Sequence, residues 1–205
     1  MTLPEYITAI KDVILGLSVI SAAIFAYLGL TTWRKELKGK SEYQLAKEVL
    51  KSTYKVRDAF MHVRSPAIYQ YEYPEEMLDA QGYLKQEHDY AGSVHVYQKR
   101  WEMMVRDFSE LEEHNLEAQV EWGAEFQNVI AKLRYCKAEL QIAIQQMLER
   151  KKNPRNIGLT SVGADAEERS VLYYHGADSK HDKFTSEINE AINEFEKWLR
   201  PHIKR

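Results

Sequence analysis

Val13–Trp33, with the sequence VILGLSVISAAIFAYLGLTTW, is a stretch of 21 residues in which no side chain is charged at neutral pH. An α-helix of this length is roughly 32 Å long at a rise of ~1.5 Å per residue, close to the ~30 Å hydrocarbon core of a bilayer. A cleaved secretory signal normally has positive charge ahead of a shorter apolar segment, and a buried core helix seldom extends this far without a polar face. The sequence therefore predicts one transmembrane helix, with the lipid bilayer as a partner.

Charged residues on the two sides of this stretch predict its orientation. Four cations follow it directly, and we call them the basic segment: Arg34, Lys35, Lys38 and Lys40. Before the stretch stands Lys11, beside the carboxylates Glu5 and Asp12. Because the flank richer in Lys and Arg stays in the cytoplasm, we expect a single-pass protein of the inner (cytoplasmic) membrane with its N-terminus outside. Tyr27, Trp33 and the basic segment are the predicted membrane-interface residues.

Small side chains within the stretch predict contacts between neighbouring spans. Ser18, Ala22 and Ala26 recur every fourth residue, and Gly16 and Gly29 add further small positions. Lipid offers no hydrophobic drive for helix association, so close backbone packing on small residues favours it. We therefore expect a homo-oligomer whose spans pack through these five residues, although the same residues also occur in spans that do not associate.

Charge balance and cysteine content exclude several classes of protein. The chain has 28 Lys and Arg against 31 Asp and Glu, a net charge of -3, which gives no overall attraction for nucleic acid. Cys136 is the only cysteine, so no internal disulfide and no cysteine cluster for zinc or iron-sulfur can form. The sequence also has no glycine-rich phosphate loop and no Glu-x-x-His pair. We expect a protein of a reducing compartment without a metal or cofactor.

The sequence divides into the anchor with its basic segment, residues 1–40, and a cytoplasmic domain, residues 41–205. Apolar residues three and four positions apart predict an all-α antiparallel bundle of four long helices, at residues 41–64, 88–114, 116–152 and 182–203. The apolar stripe of the third helix includes Leu116 and Val120, and that of the last helix consists of Phe184, Ile188, Ile192, Phe195 and Leu199. Residues 65–86 form a tyrosine-rich connection with one short helical turn at residues 74–78, and residues 153–166 form a loop rich in helix breakers. Gly39 leaves open whether the span and the next helix form one rod or a kinked pair.

Arg57 to His62, RDAFMH, is the most specific short motif: an arginine, an acidic residue, and a histidine five positions after the arginine. It resembles the Arg-polar-x-x-x-His signature of the HEPN superfamily, whose members are small, often dimeric helical bundles and frequently metal-independent ribonucleases. The resemblance implies a catalytic site of Arg57, Asp58 and His62. In such a site the imidazole exchanges a proton with the ribose or the leaving oxygen, and the guanidinium stabilises charge on the phosphate.

Helix geometry opposes this catalytic interpretation. Positions five apart lie ~140° apart around a helix axis, so Arg57 and His62 converge only if the helix is distorted or a second protomer completes the site. His62 beside Met61 also suits an ordinary structural histidine. Residues 169–175, RSVLYYH, have the looser arginine-to-histidine spacing that the same superfamily tolerates.

A membrane anchor followed by a helical bundle with this motif looks like the membrane-anchored accessory proteins of type VI CRISPR systems, in which a HEPN-like domain accompanies a membrane-embedded oligomer that assists defence against phage. The resemblance implies a non-enzymatic, oligomeric effector or accessory protein whose bundle docks an unidentified cytoplasmic partner. Two alternatives remain. One is a membrane-tethered ribonuclease that acts on RNA, and the other is a scaffold that recruits its partner through the tyrosine-rich connection.

Overall fold

The computed structural model describes residues 3–123, 126–153, 168–176 and 182–203. These residues form helices and no β-strand, with one isolated bridge between Leu78 and Leu84. The predicted all-α class is therefore confirmed. The long helices are α1 (Leu3–Val63), α2 (Asp89–Trp122), α3 (Gln127–Lys152) and α4 (Lys183–Ile203).

The chain divides into two compact units, Met1–Gln44 and Leu45–Arg205. α1 supplies the described part of the first unit and the first helix of the second. Gly39 and Ser41 both lie inside α1, so the backbone is helical where the sequence left a break open. α1 ends at Val63, three residues before Pro66, because a proline disfavours helical backbone in the residue that precedes it.

The first unit contains the predicted span. Of the helices that the structure describes, α1 alone is long and apolar enough to cross a membrane by length and composition. Its most apolar window has a mean hydropathy of 2.0 and is 0% buried. Large side chains along this window are exposed, including Ile20, Phe25 and Leu28. The side chains of Glu5 and Asp12, the two carboxylates before the predicted span, lie outside the described part of the structure.

The second unit has its core where the helices meet, and α3 packs against both α2 and α4. The predicted apolar stripe of α4 is buried, and its members are Phe184, Ile188, Ile192, Phe195 and Leu199. From α1 the core takes Val49, Val56 and Phe60, each 0% exposed. Burial of these stripes removes apolar surface from water, which is the main force that holds the helices together.

The predicted boundary between the second and third helices, at Asn115, is wrong. α2 continues to Trp122, and Gly123 ends it with a φ of 93°, a backbone conformation that glycine adopts without strain. Asn115 is buried inside α2, whereas Leu116 and Val120, predicted as core residues, are 64% and 84% exposed. Gly123 therefore ends α2, and Asn115 lies within the helix on its buried face.

Short helical turns fill the connections. Residues 65–88 contain three turns of 3-10 helix: Gln70–Glu72, Glu75–Met77 and Gln86–His88. The middle turn lies where the sequence predicts one. Residues 168–172 form a further helical turn. The predicted loop at 153–166 lies, apart from Asn153, outside the described residues.

Candidate functional site

The first two members of the Arg-polar-x-x-x-His motif pair with each other. Arg57 Nε donates a hydrogen bond to Asp58 Oδ1 at 2.9 Å, and the guanidinium lies 5.0 Å from the centre of the Tyr54 ring. Arg57 also lines a cavity of about 200 Å³ together with Arg64 and Asn189. A phosphate bound by Arg57 would compete with the adjacent carboxylate for Nε and Nη2.

The third member, His62, lies apart from that cavity. Its side chain is exposed and is not among the residues that line the cavity beside Arg57. A general acid or base has to reach the proton it transfers, at a heavy-atom distance of ~2.6–3.2 Å. Within one chain the structure therefore keeps the His62 imidazole and the Arg57 guanidinium apart. The ~140° between these positions on a helix predicts this separation.

The looser spacing at residues 169–175 does not bring Arg169 and His175 into the cavity beside Arg57 either, although Tyr174 lines that cavity. Arg169 and His175 are both exposed, and the backbone N–H of His175 donates to Asp182 Oδ2 at 3.1 Å. Among the described residues, no group of three or more His, Cys, Asp or Glu side chains could hold a metal ion.

Arg64 is the centre of a buried hydrogen-bond network that no motif or periodicity in the sequence predicts. Its side chain is 1% exposed, as is that of Asp182, and their Nη2–Oδ1 distance is 2.8 Å. The guanidinium donates to five acceptors: the carbonyl oxygens of Ser170, Val171 and Tyr173, Thr185 Oγ1 and Asp182 Oδ1. Through these bonds the end of α1 holds the 168–174 segment and the start of α4 in place.

The ionisation of Asp182 reflects this network. Burial acts to raise the pKa of Asp182. Hydrogen bonds from Arg64, from the backbone N–H of His175 and from Thr185 lower the pKa by more than burial raises it, so the pKa lies below its ordinary value. Since hydrogen bonds to the charged form of a carboxyl favour that form, Asp182 stays ionised beside the guanidinium. The pair is structural, because every nitrogen of Arg64 already has an acceptor.

Arg100 forms a second buried network, which orders residues 65–72. Nε and Nη2 donate to the two carboxylate oxygens of Glu72 at 2.7 and 2.9 Å, and Nη1 and Nη2 donate to the carbonyl oxygens of Ser65 and Ala67, each at 2.7 Å. A bidentate pair between an arginine and a carboxylate fixes the relative orientation of the two groups as well as their distance. Burial acts to raise the pKa of Glu72, but the bonds from Arg100 and from the N–H of Tyr69 lower it below its ordinary value.

This second network supports an exposed aromatic surface on residues 65–88, which we call the tyrosine loop. The rings of Tyr69 and Tyr71 stack with centroids 5.5 Å apart and an interplanar angle of 6°. Their side chains are nevertheless 56% and 80% exposed, and Tyr83 is 72% exposed. The Gln70 side chain packs so closely on Gly82 that it leaves no room for a Cβ there. The loop is thus folded on itself, with the rings of Tyr69, Tyr71 and Tyr83 directed to solvent.

The predicted membrane-interface and packing residues all lie on α1. Tyr27, Trp33 and the basic segment are exposed. A Cβ added at Gly16 or Gly29 would meet no atom within 4 Å. Ser18 Oγ donates to the Ile14 carbonyl oxygen at 2.7 Å, which satisfies the hydroxyl inside the helix. Ala22 and Ala26 are likewise exposed, so all five predicted packing residues are accessible on the helix surface.

Comparison with protein-family models, with curated proteins and with solved structures finds no match to this chain. The resemblance of Arg57 to His62 to the HEPN signature therefore stays a prediction.

Proposed function

We propose that the protein is a membrane-anchored docking protein. α1 crosses the inner membrane, its small-residue face joins copies into a homo-oligomer, and the second unit binds a protein partner in the cytoplasm as an antiparallel four-helix bundle. The protein acts as an effector or accessory factor through assembly and docking, without catalysis. The observation that supports this proposal most strongly is the complete exposure of the apolar window of α1.

The exposure of the apolar side chains of α1 favours a membrane-spanning helix over a buried core helix. A core helix with a mean hydropathy of 2.0 would have its apolar side chains covered, whereas this window is 0% buried. Leaving side chains such as Ile20 and Phe25 in water costs ~1.5–3 kcal/mol each. A bilayer removes that cost over the whole window. Ser18 and Ser21 also suit a bilayer, because each hydroxyl donates to a carbonyl oxygen of its own helix.

The basic segment supports the proposed orientation. All four of its side chains are exposed, and Lys38 lies 3.8 Å from Glu42 in an i, i+4 pair. Cations at this position hold the flank on the cytoplasmic side and contact anionic headgroups.

Two features of the second unit favour docking over catalysis: the separation of Arg57 from His62, and the exposed tyrosine rings. Arg57 pairs with Asp58, and His62 lies outside the cavity that Arg57 lines. In contrast, the stacked and exposed rings of Tyr69 and Tyr71 are fixed in place by the Arg100 network. Rigid, exposed aromatic side chains are typical of protein-binding surfaces.

Thiol labelling tests the proposed topology. Cys136 is 3% exposed, and burial raises its pKa to about 11, so the native thiol gives little background. We expect Lys11→Cys to react with a membrane-impermeant maleimide in intact spheroplasts, and Glu117→Cys, on the exposed face of α2, to react only after permeabilisation. The unsubstituted protein is the control. Equal labelling of both positions in intact spheroplasts would contradict the proposal.

A further inference from the structure

The tyrosine loop is more acidic than the rest of the chain. Between Ser65 and His88 there are five acidic residues and one lysine, a net charge of -4, whereas the whole chain has a net charge of -3. Four of the five acidic side chains are exposed: Glu75, Glu76, Asp79 and Glu87. Lys85 directs its ammonium to the Glu76 carbonyl oxygen at 2.9 Å. The loop surface therefore combines negative charge with exposed tyrosine rings.

The two features belong to one folded surface. Glu75 follows Tyr71 by four residues and begins the next 3-10 turn. The contact between Gln70 and Gly82 brings the chain at Tyr83 beside the chain between Tyr69 and Tyr71. Asp79 Oδ1 accepts hydrogen bonds from the N–H groups of Gln81 and Tyr83, each at 2.9 Å, which fixes the intervening turn.

We propose that the tyrosine loop is the docking surface for a cationic, arginine-rich segment of the protein partner. This inference rests on the proposed docking function. A stacked pair of rings leaves its outer faces open, and a guanidinium is attracted to such a face while it lies flat against it. The exposed carboxylates add attraction for the same charge and steer the partner to the surface.

The same chemistry disfavours other occupants. Exposed tyrosines also stack on the bases of single-stranded RNA, but the carboxylates of the loop repel a phosphate backbone. Anionic headgroups would be repelled in the same way. A second copy of the loop would place like charges opposite each other, which is destabilising.

A peptide-binding measurement tests the inference. The full-length protein in an uncharged detergent is titrated into a labelled peptide of repeated Arg-Gly, and anisotropy reports the complex. We expect binding that weakens as salt increases, and no binding of a Glu-Gly repeat peptide or of polyuridylate. Loss of two exposed cation–π contacts in Tyr69→Ala/Tyr71→Ala should raise Kd at least about fivefold.

Matched variants separate recognition from folding. Tyr135→Ala removes a ring that is 69% exposed on α3 and should leave Kd unchanged. Tyr71→Phe keeps the ring face and should keep binding. Glu75→Gln/Glu76→Gln should weaken binding, whereas Glu113→Gln/Glu117→Gln, on exposed positions of α2, should not.

Several outcomes would overturn the inference: no binding of the Arg-Gly peptide, equal binding by the double tyrosine variant, or preferred binding of polyuridylate or anionic vesicles. These outcomes are independent of membrane insertion. A protein found in membranes that fails to bind the peptide disproves only this inference. A soluble protein that binds the peptide disproves only the membrane part of the proposed function.

Discussion

Arg64 and Asp182 form a buried ion pair that joins the end of α1 to the residue before α4. The Nη2–Oδ1 distance is 2.8 Å, and both side chains are 1% exposed. The two residues are 118 positions apart in the sequence. Because the same guanidinium also binds backbone oxygens of Ser170 and Tyr173, a single side chain determines where three segments of the second unit meet.

Replacing Arg64 should therefore destabilise the protein strongly. We expect Arg64→Met to lower the free energy of unfolding by ~3–5 kcal/mol, because the substitution leaves a carboxylate and several carbonyl oxygens buried without their donor. Denaturant titration of the detergent-solubilised protein, followed by circular dichroism, measures the change. Arg106→Ala is the control: Arg106 is 74% exposed and pairs only with its neighbour Asp107 among the contacts described, so its loss should cost less than ~0.5 kcal/mol.

Acid should weaken the same pair. The pKa of Asp182 is lower in the folded protein than its ordinary value of 3.8. The pair's contribution to stability is therefore complete above about pH 4 and is lost as the pH falls through the folded pKa. Asp182→Asn should unfold at a lower temperature than the unsubstituted protein at neutral pH. The difference between the two melting temperatures should shrink on acidification, and a difference that grows in acid would contradict this account.

The sequence predicts most of the fold because the apolar periodicity is strong. The stripe from Phe184 to Leu199 is buried as expected. The boundary at Asn115 was wrong since a polar residue with apolar neighbours on both sides resembles a helix break when only local patterns are considered. Asn115 lies on the buried stripe of α2, and the left-handed backbone at Gly123 is what ends the helix.

The candidate site was less predictable. Arg64 and Arg100 resemble surface arginines in the sequence, since their partners are far away or in an irregular loop. A signal was nevertheless present for Arg100, which lies three residues after Tyr97 and four before Met104, both buried. A charged residue at such a core position requires buried partners. The stacking of Tyr69 on Tyr71 depends on the loop conformation, which no helical or strand periodicity specifies.

Larger side chains on the small-residue face should reduce self-association. We expect Ala22→Leu/Ala26→Leu to shift the detergent-solubilised protein from an oligomer towards the monomer, because the added side chains hold the backbones apart. Light scattering, corrected for bound detergent, gives the mass. Leu17→Phe/Ile24→Phe is the matched control, since both positions are exposed and lie ~140–180° around the helix axis from Ala22 and Ala26. An oligomer that persists in Ala22→Leu/Ala26→Leu would exclude Ala22 and Ala26 from the interface.

The ribonuclease alternative is open to a direct assay. We expect that the purified protein does not cleave single-stranded RNA in the presence of a chelator. The His62→Ala variant should behave in the same way as the unsubstituted protein. His62 is exposed, so this substitution should change the free energy of unfolding by less than ~0.5 kcal/mol. Cleavage that disappears in both His62→Ala and Arg57→Ala would instead establish the enzyme.

Membrane partitioning of the full-length protein tests the central claim most directly. After lysis without detergent and an alkaline carbonate wash, ultracentrifugation should leave the protein in the pellet, and detergent should release it. Ile20→Lys/Ile24→Lys places two charges in the middle of the span at ~2.5–3.5 kcal/mol each, and should shift the protein towards the supernatant. If the unsubstituted protein stays in the supernatant, α1 does not cross a bilayer and the account is contradicted.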